Sequence, residues 1–259
     1  MCNNGVDSGA AQTVQSVDRA LEILEVLAQR GVAGVTDVAA ELGVHKSTAS
    51  RLLATLENRG FVEQQRERGT YRLGFGLVRL AGASVAQLDI TQVAREICER
   101  LATELDETVN VAVLDGDGDG AVNVSQVQGS SSVGVLNWVG RRTPLHATSS
   151  GKVLLAFGPS QVRDEVLARP LARFTSATVT DPGALEASLA QVRERGWAAT
   201  QGELEAGLNA VAAPVCAADG RLVAAISVSG PSYRLLPEGF VALAERVCAA
   251  AAEIRARLG

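Results

Sequence analysis

Residues 36–59, TDVAAELGVHKSTASRLLATLENR, constrain this chain more than any other stretch. They read as two short helices joined by a tight turn, the second carrying its polar side chains outward. In the first, Thr36 is the expected N-cap, Val38, Ala39 and Leu42 share a face, and Gly43 stands where a left-handed residue ends a helix. In the second, Ala49, Leu52, Leu53 and Leu56 recur at helical spacing and form a buried stripe. At about 100° per residue, the opposite face belongs to Ser47, Arg51 and Asn58, flanked by Thr48 and Ser50. A recognition helix enters the DNA major groove by its N-terminal end, so Lys46, Ser47, Thr48, Ser50 and Arg51 are the candidates for base and phosphate contacts.

The flanks supply the rest of such a domain. Ser16 is the expected cap of a preceding helix whose apolar set is Val17, Ala20, Leu21, Leu24, Leu27 and Ala28. After Gly60, the stretch FVEQQRERGTYRL reads as two short strands around a polar turn, which places Arg66 and Arg68 at the tip of a hairpin wing. Between residues 45 and 79 there are seven Lys or Arg against three Glu, while the whole chain carries a net charge of −5. Positive charge is thus concentrated where a phosphate backbone would be met. The competing reading is three ordinary core helices with a solvated polar face. It does not account for helix, turn, Ser/Thr-rich helix and Arg-tipped hairpin occurring in that order.

Residues 1–12 are expected to be disordered, 13–74 to form the winged helix-turn-helix, 75–88 a linker helix, and 89–259 a second domain. The second domain holds 15 basic and 20 acidic residues, so it is not built for nucleic acid. Its pattern predicts a helix over 92–105 and strands over 109–114, 121–127, 132–138, 198–201, 208–215 and 222–229. Helices are expected over 148–157, 159–168, 183–195 and 238–258. The fold class is therefore α+β, an antiparallel sheet with flanking helices. No apolar run reaches the roughly 18 residues of a membrane helix, and the N-terminus has neither a basic start nor an apolar core for export. The expected location is cytoplasmic, without a membrane partner. Four dispersed cysteines signal neither a disulfide framework nor a metal site.

Two motifs tempt an enzymatic reading. DGDGDG at 115–120 copies the first half of a calcium loop, but position 12 is Gln126 where a bidentate Glu is needed, and strands flank it. A hairpin turn is the better account. SSGK at 149–152 fits Ser-x-x-Lys, yet its companion motifs are absent, and the first glycine of a phosphate loop is replaced by His146. Thr148 or Ser149 capping a helix, with Gly151 for close packing, explains it better. No cofactor, metal or catalytic dyad is called for.

Several segments together resemble the IclR family of bacterial transcription regulators. They are SVDRALEILEVLA (16–28), VAAELGVHKSTASRLLATLENRGFVE (38–63), YRLGFGLVRLA (71–81), GRRTPLHATSSGKVLLA (140–156) and GLNAVAAPVCAADGRLVAAISVSGPSYRL (207–235). The resemblance implies a winged helix-turn-helix, a linker helix and a GAF-like effector domain. It further implies a homodimer or homotetramer on a palindromic double-stranded DNA operator. Carried over residue by residue, it points to Val135, Ser149, Ser150, Thr200, Ala210, Ser227 and Ser229 as the effector pocket. The effector so implied is a small organic acid or aromatic metabolite. A keto-acid-binding member has an acidic residue and a cysteine where this chain has Thr200 and Ala210, which implies a different, less polar ligand. The alternative function is an enzyme acting on a small metabolite in the second domain, with the DNA-binding domain fused to it.

Overall fold

The computed structural model describes residues 14–65, 69–78, 80, 89–116, 118–130 and 137–258. The expected disorder of residues 1–12, the wing-tip residues Arg66 and Arg68, Val135, most of the expected linker helix and most of the expected strand 132–138 lie outside them. The chain divides into two compact units that meet in sequence between residues 87 and 88.

The first unit contains α1 (Gln15–Arg30), β1 (Ala33–Gly34), α2 (Val35–Glu41), α3 (Lys46–Asn58), β2 (Val62–Gln65) and β3 (Thr70–Leu73). Its three strands pair antiparallel in the order β1-β3-β2. Ile23 and Leu27 of α1 meet Val38 and Ala39 of α2, Ala49, Leu53 and Leu56 of α3, and Val62 and Tyr71 of the wing in one core. Gly43 and Gly60 both adopt positive φ, 62° and 73°, so each helix of the motif ends at a residue without a Cβ penalty.

Three expectations about local structure need correction. Ser16 is not the cap of α1: the helix starts at Gln15, with Val14 at the N-cap and no side-chain capping bond. Thr36 lies inside α2, which begins at Val35; the Gly34 N–H is instead taken by Asp37 Oδ2 at 2.9 Å. An acid at the third helical position reaches back to the N-cap amide, the half of a capping box that an N-cap hydroxyl does not make. Val17, Leu21 and Ala28 of α1 are exposed, and Ile23, missing from the expected apolar set, is fully buried with Leu27. The buried stripe is Ala20, Ile23, Leu24 and Leu27, rotated from the one expected.

The second unit contains α4 (Asp89–Leu105), β4 (Thr108–Leu114), β5 (Ala121–Val127), β6 (Arg142–Thr143), α5 (Ser149–Phe157), α6 (Ser160–Leu167), α7 (Pro182–Arg195), β7 (Ala198–Gln201), β8 (Leu208–Cys216), β9 (Leu222–Pro231) and α8 (Phe240–Leu258). The strands form a six-stranded antiparallel sheet in the order β6-β5-β4-β9-β8-β7. Strand periodicity sorts the side chains into two layers. Val109, Val111, Ala213, Val215, Ala224, Ile226 and Val228 face α4 and α8. Alternate residues Ala112, Ala212 and Ala225 face α5, α6 and α7. Outside the first layer, Arg257 of α8 bonds Glu96 of α4 at 3.0 Å, and the pairs Arg100–Glu253 and Arg246–Glu104 run alongside.

The DGDGDG stretch is the β4–β5 turn. Asp115 N–H donates to Gly120 O at 2.9 Å, and Gly118, at φ 71°, donates to Asp115 O at 2.8 Å. Arg142 pairs with Asp115 and Asp119, and Arg169 with Asp119. These carboxylates are held by arginines rather than arranged as an ion cage; among the described residues no group of three acids, His or Cys could hold a metal. No helix among them is long and apolar enough to cross a membrane.

Candidate functional site

The α3 helix presents a short polar face built from the turn upward. His45 caps it, its Nδ1 accepting from Ser47 N at 3.4 Å and lying 2.9 Å from Ser47 Oγ. Lys46, Ser47, Ser50 and Arg51 are exposed, while Thr48 is half-buried at the edge. Behind them Ala49, Leu53 and Leu56 are sunk into the core, so the helix cannot rotate without exposing apolar surface. Among the described residues neither Lys46 nor Arg51 forms an ion pair, whereas Arg72 of β3 is held by Glu63 of β2 at 3.0 Å. Arg72 is thus spent on the wing's own fold, while Lys46 and Arg51 stand open on α3. His45 was missed by sequence reasoning because an imidazole is an uncommon cap.

In the second unit, a cavity opens between the sheet and the start of α5. Its lining includes Ser149, Ser150, Thr200, Ala210, Ser227 and Ser229, six of the seven residues expected from sequence. About 60 Å³ is open to water centres, where a single water needs roughly 10–15 Å³ on that measure. The cavity is therefore of multi-atom size. Register explains the convergence. Asn110 pairs with Ser227 across β4–β9, Ser229 with Ala210 across β9–β8, and Ala210 with Thr200 across β8–β7, so all five point from the same face of the sheet.

The polar wall opposite is the first turn of α5. Thr148 Oγ1 accepts from Gly151 N at 3.0 Å, and Thr148 O accepts from Lys152 N at 2.9 Å. Among the described residues, the first-turn amides without an acceptor are those of Ser149 and Ser150, both on buried residues that line the cavity. Amides at a helix N-terminus, reinforced by the helix dipole, receive anions. Gly151 is required here: a Cβ would stand 2.4 Å from Leu145 O. Half-buried Trp138, Leu204 and Leu208 give the cavity apolar sides, and exposed Glu205 stands at its rim.

Sequence reasoning missed Asn110, Asn123, Trp138 and Thr143 among the lining residues. Asn110 had a legible signal, a single amide in the otherwise apolar run TVNVAVL. It also missed the support beneath the site. Lys152, from SSGK, turns inward, and its Nζ donates to Glu203 Oε1 at 2.6 Å with both side chains nearly inaccessible. Thr175 Oγ1 donates to Gly202 O at 2.6 Å and Thr178 Oγ1 to Glu203 O at 2.7 Å. Together these bonds fasten the segment after β7, which carries Leu204 and Glu205 into the cavity wall. His146 is buried, with Nε2 2.8 Å from Ala172 O.

A helix-turn-helix unit whose α3 carries an open polar face, joined in one chain to a sheet domain with a hydroxyl-lined cavity, fits the class of ligand-responsive DNA-binding regulators. Residues 16–66 match the IclR helix-turn-helix domain, and residues 82–256 match the bacterial transcriptional regulator IclR C-terminal domain. The chain belongs to the IclR family of transcriptional regulators. It is 35% identical over 255 residues to the HTH-type transcriptional repressor AllR of Klebsiella pneumoniae, covering 98% of this chain and 93% of that one. It is also 35% identical over 224 residues to the HTH-type transcriptional regulator XynR of Escherichia coli, covering 86% and 88%. An IclR homolog from Microbacterium hydrocarbonoxydans, solved in complex with 4-hydroxybenzoate, superposes with a TM-score of 0.81 at 32% identity, over 94% of this chain and 98% of that one.

Proposed function

We propose that the protein acts in the cytoplasm as a symmetric oligomer on a palindromic operator, and that a small organic acid in the second-domain cavity sets its affinity for that operator. Residues 13–74 would read DNA and residues 89–259 would bind the effector and hold the oligomer together, with 75–88 as the linker helix. The observation that carries the reading is the cavity itself: buried hydroxyls and two open helix amides converge on a space of a few waters' volume. A carboxylate on the Ser149 and Ser150 amides and an apolar or aromatic body along Trp138, Leu204 and Leu208 match its chemistry. The 4-hydroxybenzoate bound by the Microbacterium homolog is a compound of this type. Val135 is assigned to the same pocket on family resemblance.

On the DNA side, Lys46, Ser47, Thr48, Ser50 and Arg51 are assigned to the major groove, and Arg66 and Arg68 to backbone contacts from the wing. Control follows from linkage. An effector that favours one separation of the two recognition helices shifts operator affinity, and operator binding must change effector affinity by the same factor. Selection of genomic fragments by the purified protein at near-physiological salt, repeated with a panel of organic acids including 4-hydroxybenzoate, tests both halves. A recurring palindrome whose recovery changes with one compound is the expected result. Recovery that is independent of sequence and falls only with salt would overturn the proposal.

A further inference from the structure

Among the described residues, two buried side-chain oxygens have no hydrogen-bond partner: Asn110 Oδ1 and Glu203 Oε2. Glu203 still has its other oxygen on Lys152. Asn110 is different because it lines the cavity, sits 6% exposed in the central strand β4, and uses only its Nδ2, which donates to Ser229 Oγ at 3.3 Å. An orphaned acceptor at that depth is costly unless something donates to it. The neighbouring hydroxyls of Thr143 and Thr148 are already committed, donating to Ala121 O and Pro144 O at 3.2 and 2.9 Å.

We propose that Asn110 is the specificity-determining residue of the cavity, and that its free oxygen selects effectors carrying a hydroxyl in addition to the carboxylate. This inference rests on the cavity being the effector site. The two ends of the site then ask for opposite chemistry. The Ser149–Ser150 amides demand an acceptor, and Asn110 Oδ1 demands a donor, which a second carboxylate, a keto group or an ether cannot supply. The site distinguishes a hydroxy acid from its deoxy counterpart because the latter leaves the buried oxygen desolvated and unpaired.

The test uses the full-length protein and matched ligands: benzoate, 3- and 4-hydroxybenzoate, 3- and 4-methoxybenzoate, propanoate and 3-hydroxypropanoate, titrated by calorimetry. Within at least one matched set, the hydroxylated member should bind roughly ten- to a hundredfold more tightly than its deoxy and methoxy partners. Asn110→Ala should remove that ratio. The wild-type comparison stands by itself should the variant fold poorly. Equal binding of hydroxylated and deoxy acids, or tighter binding of the methoxy compounds, overturns the role of Asn110 and leaves the effector site in place. Failure of every acid to bind overturns the carboxylate reading of the cavity and this inference with it.

Discussion

The two units handle polar groups in opposite ways. The first keeps open charges outside: Lys46 and Arg51 stand on α3 with no acid partner among the described residues, over a core of Ile23, Leu27, Leu53 and their neighbours. The second draws its polar groups in: Asn110, Ser149, Ser150, Lys152, Thr200, Glu203 and Ser227 are all buried. DNA is a large polyanion that arrives from solvent, so an open cation is ready for it, and the associated cost in stability is small. A small metabolite must be surrounded, and surrounding it puts polar atoms where every missing bond is expensive. Substitutions at equivalent-looking polar residues should therefore fail differently, through binding in one unit and through folding in the other.

The sharpest way to break this contrast is at the Lys152–Glu203 pair. Lys152→Met leaves a buried carboxylate without its cation and should lower unfolding free energy by about 3–5 kcal/mol, read from urea denaturation. Replacing both partners with apolar residues should recover most of that loss. A single replacement with no effect would mean that water reaches the pair. Next in size is Arg51→Ala, expected to leave stability nearly unchanged but to cost about 1–3 kcal/mol of discrimination at the base pair it reads. Operator selectivity surviving intact in a competition assay would remove α3 from the role of recognition helix. Arg68→Ala should weaken binding to all sequences alike and reduce the salt-dependence slope by about 1; a change in sequence preference instead would put the wing in a groove. The smallest effect concerns Cys98, whose thiol is pushed up to about 12, first by burial and then by the nearby Glu99 charge. At pH 8 it should resist iodoacetamide in the native protein and label only on unfolding.

The DNA-reading unit was largely legible because its information is local. Gly43, the Ala49–Leu53–Leu56 stripe and Gly60 each act within a few residues of where they stand. The errors there were local too: the cap expected at Thr36 falls at Gly34, whose amide Asp37 accepts from, and the α1 stripe turned by enough to bury Ile23 in place of Leu21. In the second unit, the strand over 198–201, all but the last residue of the strand over 208–216, and a cap at Thr148 or Ser149, which the structure places at Thr148, could be read from pattern. The cavity could not. Asn110 and Ser229 are 119 residues apart, and Lys152 and Glu203 are 51 apart. No local period reports such pairs, so six lining residues came from family resemblance and Asn110 came from neither source.

Strand β9 carries one last implication. Its alternation sends Ile226 and Val228 to the helical layer of α4 and α8, and Ser227 and Ser229 to the cavity. Neighbouring codons therefore answer to separate demands. Under the proposed effector role, Ser227 and Ser229 bear on what the cavity accepts, whereas Ile226 and Val228 bear on the helical layer. Because Ser227 is buried and Ser229 half-buried, a change of ligand there must keep their polar atoms partnered, and an engineer building a new biosensor would vary both together and screen for folding as well as response.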